Sequence, residues 1–496
     1  MAIKQSDVPF WTSARFGMAV LVFFGFANLY SLRVDLSVAV VCMVNHTWAQ
    51  EQEQPTNSTT DTFDKSCGQK LNETKPDDGS FQWTKKSQGL ILGSFFWGYA
   101  VLQLPGGLLA ERFGAKEVFL VNMTIVSICT LLSPLAANVH YALLIALRVI
   151  IGLGEAVAFP SMHSLWARWA PPLERSKLAG FSYAGCQFGT VIALPISGFL
   201  CSWLGWSSIF YVFGCLGLIW CALFWLLAAS SPQEHKRISA VERDYIVQAL
   251  AGQLEATAAD KKNRTIPWMK FLTSLPLWAI LVTHVCMNFG NYLILTDLPT
   301  FMSDVLNFDI KANGLLSAIP YLSVWIVNNI AGFSADFLRS RKLLNTTHTR
   351  KVFMIIAMFG QSFCLVGAGY CTCEQRYLAV ALITIGQGLS GFQVAGFLIN
   401  HMDIAPRFAG TLFGLTNTIA TIPGMVAPIV ASAMTPNNTR SEWLSVFWAS
   451  TGILCFGAIF YTVFGSGELQ DWAKVEEAES EKQSSDDNIS TLNTKC

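Results

Sequence analysis

Charge is scarce in this chain. Only 13% of its 496 residues are Asp, Glu, Lys or Arg, against roughly 25% in an ordinary soluble domain. The formal charges cancel to zero, so no basic surface argues for nucleic acid as a partner. The sequence has no Cys-x-x-Cys pair and no His/Cys cluster at metal spacing, which removes a structural metal. It also has no glycine fingerprint of the GxGxxG or Walker kind after a strand, so ATP is not implied. No nucleophile–base pair is apparent, which makes a membrane enzyme the weakest reading, and no cofactor is expected. The first 15 residues are mostly polar, and the apolar stretch behind them exceeds the roughly 7–15 residues of a signal-peptide core. It should remain as a membrane span.

Long apolar runs fill the space that charge leaves, with 52% hydrophobic residues. A span needs about 20 mostly apolar residues. Twelve segments qualify: 16–44, 87–109, 117–137, 139–163, 178–200, 208–229, 277–302, 313–335, 353–370, 377–400, 409–433 and 444–466. The polar stretch 230–276 divides them into two sets of six, residues 16–229 and 277–466. An all-α membrane protein of two six-helix halves is therefore expected, with residues 1–15 as a short terminus and 467–496 as an acidic, serine-rich tail expected to be disordered.

Loop charge orients the bundle. Arg168, Arg175 and Lys177, then Arg339, Arg341, Lys342, Arg350 and Lys351, and seven basic residues in 230–276 lie on one side. The short loops opposite, 138–140 and 201–207, hold no lysine or arginine. The positive-inside rule then makes both termini cytosolic. The long loop 45–86 carries sequons at Asn45, Asn57 and Asn72, and Asn437 lies in another loop of that side, so these four are expected to be glycosylated. Sequons at Asn263, Asn345 and Asn488 fall on the cytosolic side and should stay unused. Most of the 13 cysteines lie in apolar segments, where they serve as small hydrophobes. Cys67, Cys371 and Cys373 lie in loops, and a bridge from Cys67 to one of the others is open.

A repeat links the halves. Gly107-Leu-Leu-Ala110-Glu111-Arg112 follows the second span, and Gly332-Phe-Ser-Ala335-Asp336 follows the eighth. A small-x-x-small-acid pattern at matching places fits two six-helix halves with binding at the midplane between them. Its glycines permit close helix contact, and Glu111, Arg112 and Asp336 are candidate gating residues that latch one state.

Ionisable residues inside spans face cavities or polar partners. The fourth span holds Arg148 and Glu155, seven residues and hence about 700° of helix apart, on one face at roughly 10 Å. That gap admits a small anion or water. Alternatively, each residue pairs with another helix and only fixes packing. The first span holds Arg33 and Asp35, which cannot share a face. Arg33 and Arg148 are candidates for holding a carboxylate, and Glu155, with Asp35 behind it, for carrying a coupling proton. Asn288, Asn291 and Tyr292 offer neutral hydrogen bonds to a polar ligand or to neighbouring helices. Asp297 falls near the loop end of its span, and His163 and His284 read as structural.

Several stretches together resemble a known family. Ser31-Leu-Arg33-Val-Asp-Leu-Ser37, Gly93-Ser-Phe-Phe-Trp-Gly98-Tyr99, Gln103-Leu-Pro-Gly-Gly107, Trp169-Ala-Pro-Pro-Leu-Glu-Arg175 and Asn400-His-Met-Asp-Ile-Ala-Pro406 are similar to the organic-anion branch of the major facilitator superfamily. The resemblance runs from about residue 13 to 470. It implies a secondary active carrier of acidic sugars or acidic amino acids, with Arg33, Arg148 and Glu155 at the positions of the branch's ionisable residues. Departures matter. A second glutamate of the acidic-sugar carriers is Ile151 here. The histidine and the seventh-span arginine of the vesicular glutamate carriers are Leu92 and Met287, which disfavours glutamate loading. The expected activity is proton-coupled symport of small anionic solutes by a monomer in a lipid bilayer, in a lysosomal, vesicular or plasma membrane. The alternatives are a sodium-coupled phosphate or organic-anion carrier and, from another class, a channel or non-transporting sensor.

Overall fold

The computed structural model describes residues 8–45, 48, 79–171, 174–250, 267–405 and 408–473. Twelve helical spans run through it: α1 (Ala14–Met43), α2 (Lys85–Phe113), α3 (Ala115–Val139), α4 (Tyr141–Ala156 and Ala158–Trp169), α5 (Arg175–Leu204), α6 (Ser207–Leu227), α7 (Leu275–Asp304), α8 (Ile310–Ser340), α9 (Thr346–Tyr370), α10 (Arg376–Ser390 and Phe397–Ile404), α11 (Ala409–Ile419 and Ile422–Met434) and α12 (Arg440–Phe464). Eleven are long and apolar enough to cross a membrane. The twelfth, α2, is rich in glycine and carries Gln88 and Gln103. It takes its place by packing against α4 and α11.

Local chemistry starts the spans. Ser13, Thr84, Asp309 and Asn345 each accept a backbone N–H at the first turn of α1, α2, α8 and α9. Thr439 and Glu442 form a reciprocal capping box on α12, the arrangement that satisfies two orphan donors at once. Gly114, at φ +96°, turns α2 into α3 in a single residue, a conformation that costs other L-residues. Leu135, Val139, Trp203, Leu226 and Phe363 stand exposed on the outside of the bundle, an apolar surface that suits lipid.

Three further features differ from expectation or extend it. Cys42 and Cys201 are disulfide-bonded, tying α1 to the end of α5, so these two are not simple hydrophobes. Cys371 is free while Cys373 is disulfide-bonded; Cys67 lies outside the described residues. Residues 467–473 of the tail are packed on the bundle. Gln470 donates from its backbone to the Ile404 carbonyl at 2.9 Å, and Trp472 packs edge-on against Phe271 at 5.2 Å. A large apolar ring with a place to bury holds the chain that acidity alone would free.

The long loop leaves and returns at one point. Asn45 N–H reaches Phe81 O and Phe81 N–H reaches Met43 O, each at 2.9 Å. At the opposite face the linker docks on the first half: Glu242, in helical segment 240–250, accepts from the Ala14 and Arg15 N–H groups at 3.0 Å. Arg15 also reaches Glu174 at 2.6 Å. These two ends are called here the loop face and the linker face.

The halves meet from midplane to loop face. Gly198 of α5 and Gly314 of α8 lie so close that a Cβ on either would strike the other helix. Gly89 and Gly93 of α2 do the same against α11. Lys85, first residue of α2, pairs with Asp304, last of α7, at 2.8 Å with both side chains buried. Lys311 of α8 lies 5.5 Å over the ring of Trp203. The loop face is the closed one.

Candidate solute site between the halves

α1 and α4 bring the sequence's four charged candidates together. A Cβ on Gly98 would strike the Val149 carbonyl, and one on Gly152 the Phe95 carbonyl, so α2 and α4 touch backbone to backbone. That contact sets Phe95 beside both arginines: Arg33 Cζ lies 4.8 Å and Arg148 Cζ 5.4 Å from its ring centre. Tyr30 and Tyr99, each at 4.7 Å, complete an aromatic box around Arg33. Such a box attracts a cation through the ring quadrupole. The Phe95/Tyr99 spacing of four residues, with Gly93 before it and Gly98 inside it, is a readable sign of this.

The ion pairing crosses between spans. Arg33 Nε donates to Glu155 Oε2 at 2.9 Å, and its Nη2 approaches the same oxygen at 2.8 Å, close but out of line for a second bond. Glu155 therefore pairs with Arg33 rather than answering Arg148 along its own helix. Arg148 Nη1 stands 3.8 Å from Asp35 Oδ1, beyond hydrogen-bond length. Its firmest contacts are long ones, to the Leu32 and Arg33 carbonyls at 3.4 and 3.3 Å. Arg148 Nε, both Asp35 oxygens and Glu155 Oε1 are buried without hydrogen-bond partners. Arg33 and Asp35 indeed point different ways, as two residues 200° apart on a helix must.

Both arginines line one small cavity at the junction of the halves. Ser37, Leu92, Phe95 and Phe96 complete its first-half wall, and Leu295 and Thr296 of α7 its second. Its space, about 10 Å³, is that of roughly one water. Tyr292 packs on Phe96 across the junction at 4.6 Å. Asn288 instead donates to the Ala420 carbonyl of α11 at 2.8 Å, at the place where α11 is broken.

Other candidates fall elsewhere. Asp297 accepts from Thr296 at 2.6 Å near the loop face. His163 bonds Tyr183, and His284 and His401 share the Thr416 hydroxyl at 3.4 and 2.9 Å. Arg112 is exposed; the side chains of Glu111 and Asp336 lie outside what is described, as do Asn57, Asn72 and Asn263. Asn437 is exposed and bonds Glu442. Sequence reasoning missed the Lys85–Asp304 pair, since two single charges at span ends carry no mark of partnership. It also missed a cluster of amides in the second half, Asn291, Gln361, Gln387 and Gln393, of which it singled out only the first.

A twelve-span, two-half bundle with a charged cavity at the seam defines a membrane carrier, and the family profile "Major Facilitator Superfamily" matches residues 16–428. The chain belongs to that superfamily, in its organic-anion branch, and is a multi-pass membrane transporter rather than an enzyme. It is 45% identical to sialin of Homo sapiens over 476 residues, covering 95% of this chain and 93% of that one. Vesicular glutamate transporter 2 of Homo sapiens is 41% identical over 470 residues, covering 94% and 77%. Among solved structures, a D-xylose-proton symporter superposes with a TM-score of 0.65 at 15% identity, covering 92% of this chain and 100% of the other. An inward-facing, unoccupied bacterial homologue of the lysosomal transporter Spinster gives 0.66 at 17%, covering 91% and 97%. At such identities these two share the fold.

Proposed function

We propose that this chain is a proton-coupled symporter of acidic sugars or acidic amino acids that works by alternating access. One observation carries the reading: Arg148 is buried at the seam, lines the cavity, and is held by no short bond. A carboxylate arriving there gains a fixed cation in a low-dielectric site and displaces only the distant Asp35. Arginine's planar fork takes a carboxylate through two parallel bonds. The sialin relatives support the acidic-sugar class, and Leu92 and Met287 weigh against vesicular glutamate loading.

Coupling follows from charge balance. The cluster holds two cations and two carboxylates. A solute anion engaging the arginines leaves Glu155 or Asp35 short of its cation, and a buried carboxylate without a partner is costly unless protonated. One proton joining Glu155, with Asp35 as its neighbour in the cluster, restores neutrality, and solute and proton cross together. In this orientation the loop face is the luminal or extracellular side, with glycans at Asn45, Asn57, Asn72 and Asn437. The closed loop face makes this conformation cytosol-facing, and Glu111, Arg112 and Asp336 would latch the opposite state.

Purified protein in liposomes tests the reading. Labelled N-acetylneuraminate, glucuronate, aspartate, glutamate and phosphate are offered under an imposed pH or sodium gradient. Saturable uptake of an organic anion driven by the pH gradient is expected. Uptake of phosphate alone, driven by sodium, would replace the reading with the sodium-coupled one.

A further inference from the structure

The halves are broken in the same place. α4 is interrupted at Val157, and α10 between Ser390 and Phe397, with a turn of 3₁₀ helix at Gly391–Val394. The break in α4 packs on α2, where a Cβ on Gly106 would strike Val157, and that in α10 on α8, where one on Gly391 would meet Asn328 and Val324. Side chains beside each break reach the span that opens the half: Arg33 of α1 donates to Glu155 at 2.9 Å, and Asn291 of α7 donates to Gln393 at 3.4 Å. Two more amides stand behind them, Gln387 of α10 and Gln361 of α9. Charge on one side of the seam is thus matched by neutral amides on the other.

Resting on the carrier reading above, we propose that this amide cluster is the second half of the solute site. It binds hydroxyl or acylamino groups of an acid whose carboxylate Arg33 and Arg148 hold.

The bond lengths separate a back from a front. At the back, Gln361 Nε2 donates to Gln387 Oε1 at 3.0 Å. At the front, three contacts converge on Asn291, at 3.3 Å from Gln387, 3.5 Å from Gln361 and 3.4 Å to Gln393. All three are longer than the usual 2.9–3.0 Å of an N–H···O bond. A cluster serving only as glue between helices would hold its central amide tightly. This one holds it loosely, and leaves Gln361 Oε1 buried with no partner at all. Asn291 and Gln393 are half-exposed while Gln361 and Gln387 are buried, so the loose pair is the accessible one. Asn291 also lies roughly 40° around α7 from Leu295, which lines the cavity.

The chemistry selects a ligand. An amide offers two donors and an acceptor, which matches a hydroxyl or acylamino group that both gives and receives. A plain aliphatic carboxylate has nothing for it. Asn291 and Gln393 would touch the solute; Gln361 and Gln387 are positioning residues. A solute bridging charged and amide half-sites draws the two halves together, which links occupancy to closure.

The test measures selectivity in proteoliposomes of the full chain. Uptake of labelled glucuronate or N-acetylneuraminate, whichever the wild type accumulates, is competed by unlabelled glucuronate and by cyclohexanecarboxylate, a ring acid without hydroxyls. In Asn291→Leu and Gln393→Leu the glucuronate needed for half-inhibition rises about tenfold, the effect of one lost hydrogen bond. Cyclohexanecarboxylate potency stays within about twofold. If Asn291→Leu does not reach the membrane, Gln393→Ala, on the half-exposed turn, carries the same expectation. Equal weakening of both competitors, or no change in either, overturns the subsite. A wild type that accumulates no organic acid contradicts the carrier reading instead, whereas one that prefers neither competitor contradicts the subsite alone.

Discussion

Arg33 and Arg148 differ in how firmly they are held, and their variants should differ accordingly. Arg33 grips Glu155 inside an aromatic box, so Arg33→Ala strands a buried carboxylate, a loss of about 3–5 kcal/mol. The carrier should lose thermal stability as well as transport, and adding Glu155→Gln should recover the melting temperature but not the uptake. Arg148 holds Asp35 only at 3.8 Å and two carbonyls by long bonds. Arg148→Ala should therefore abolish uptake with a smaller thermal shift than Arg33→Ala, and Arg148→Lys should keep the charge yet lose the fork, leaving impaired uptake. A thermal-shift assay beside an uptake assay separates these outcomes. The four charges were legible in the sequence because lipid-depth charge is rare. Their pairing was not, because helical spacing speaks only of one helix, while Glu155 meets Arg33 and Arg148 meets Asp35 across two.

At the scale of helices, close backbone contacts and buried ion pairs do much of the positioning. Gly152→Val would drive α4 away from the Phe95 carbonyl and carry Arg148 out of the cavity. Transport should fall at least tenfold while the protein still reaches the membrane, checked by uptake normalised to surface abundance. The Lys85–Asp304 pair is a buried charge contact between the halves at the loop face, so breaking it should free that face to open. In Asp304→Asn, a cysteine placed at the cavity should label faster with an impermeant reagent from the loop side. Exchanging the two charges should restore wild-type labelling; unchanged labelling in Asp304→Asn would remove the pair from gating. The helices themselves were readable, with ends that differ by up to seven residues, as at 353 against Thr346, since twenty apolar residues announce a span. The breaks in α4 and α10 were not, because Val157 sits inside an apolar run and Gly391 and Gly396 read equally as helix-packing glycines.

For the whole molecule, orientation and coupling are the open claims. If the linker face lies in the cytosol as proposed, a glycan shift on gels should vanish when Asn45, Asn57, Asn72 and Asn437 are all replaced. It should be unaffected by Asn345→Gln; a shift lost in that variant would invert the topology. Coupling is decided by one comparison, made with purified wild type and Glu155→Gln in liposomes of controlled internal and external pH. The wild type should concentrate the labelled organic acid under a pH gradient. Glu155→Gln, fixed as a neutral side chain, should still exchange internal for external solute but reach no concentration above equilibrium. Accumulation by Glu155→Gln equal to the wild type would contradict the assignment of proton coupling to the Arg33–Glu155 pair.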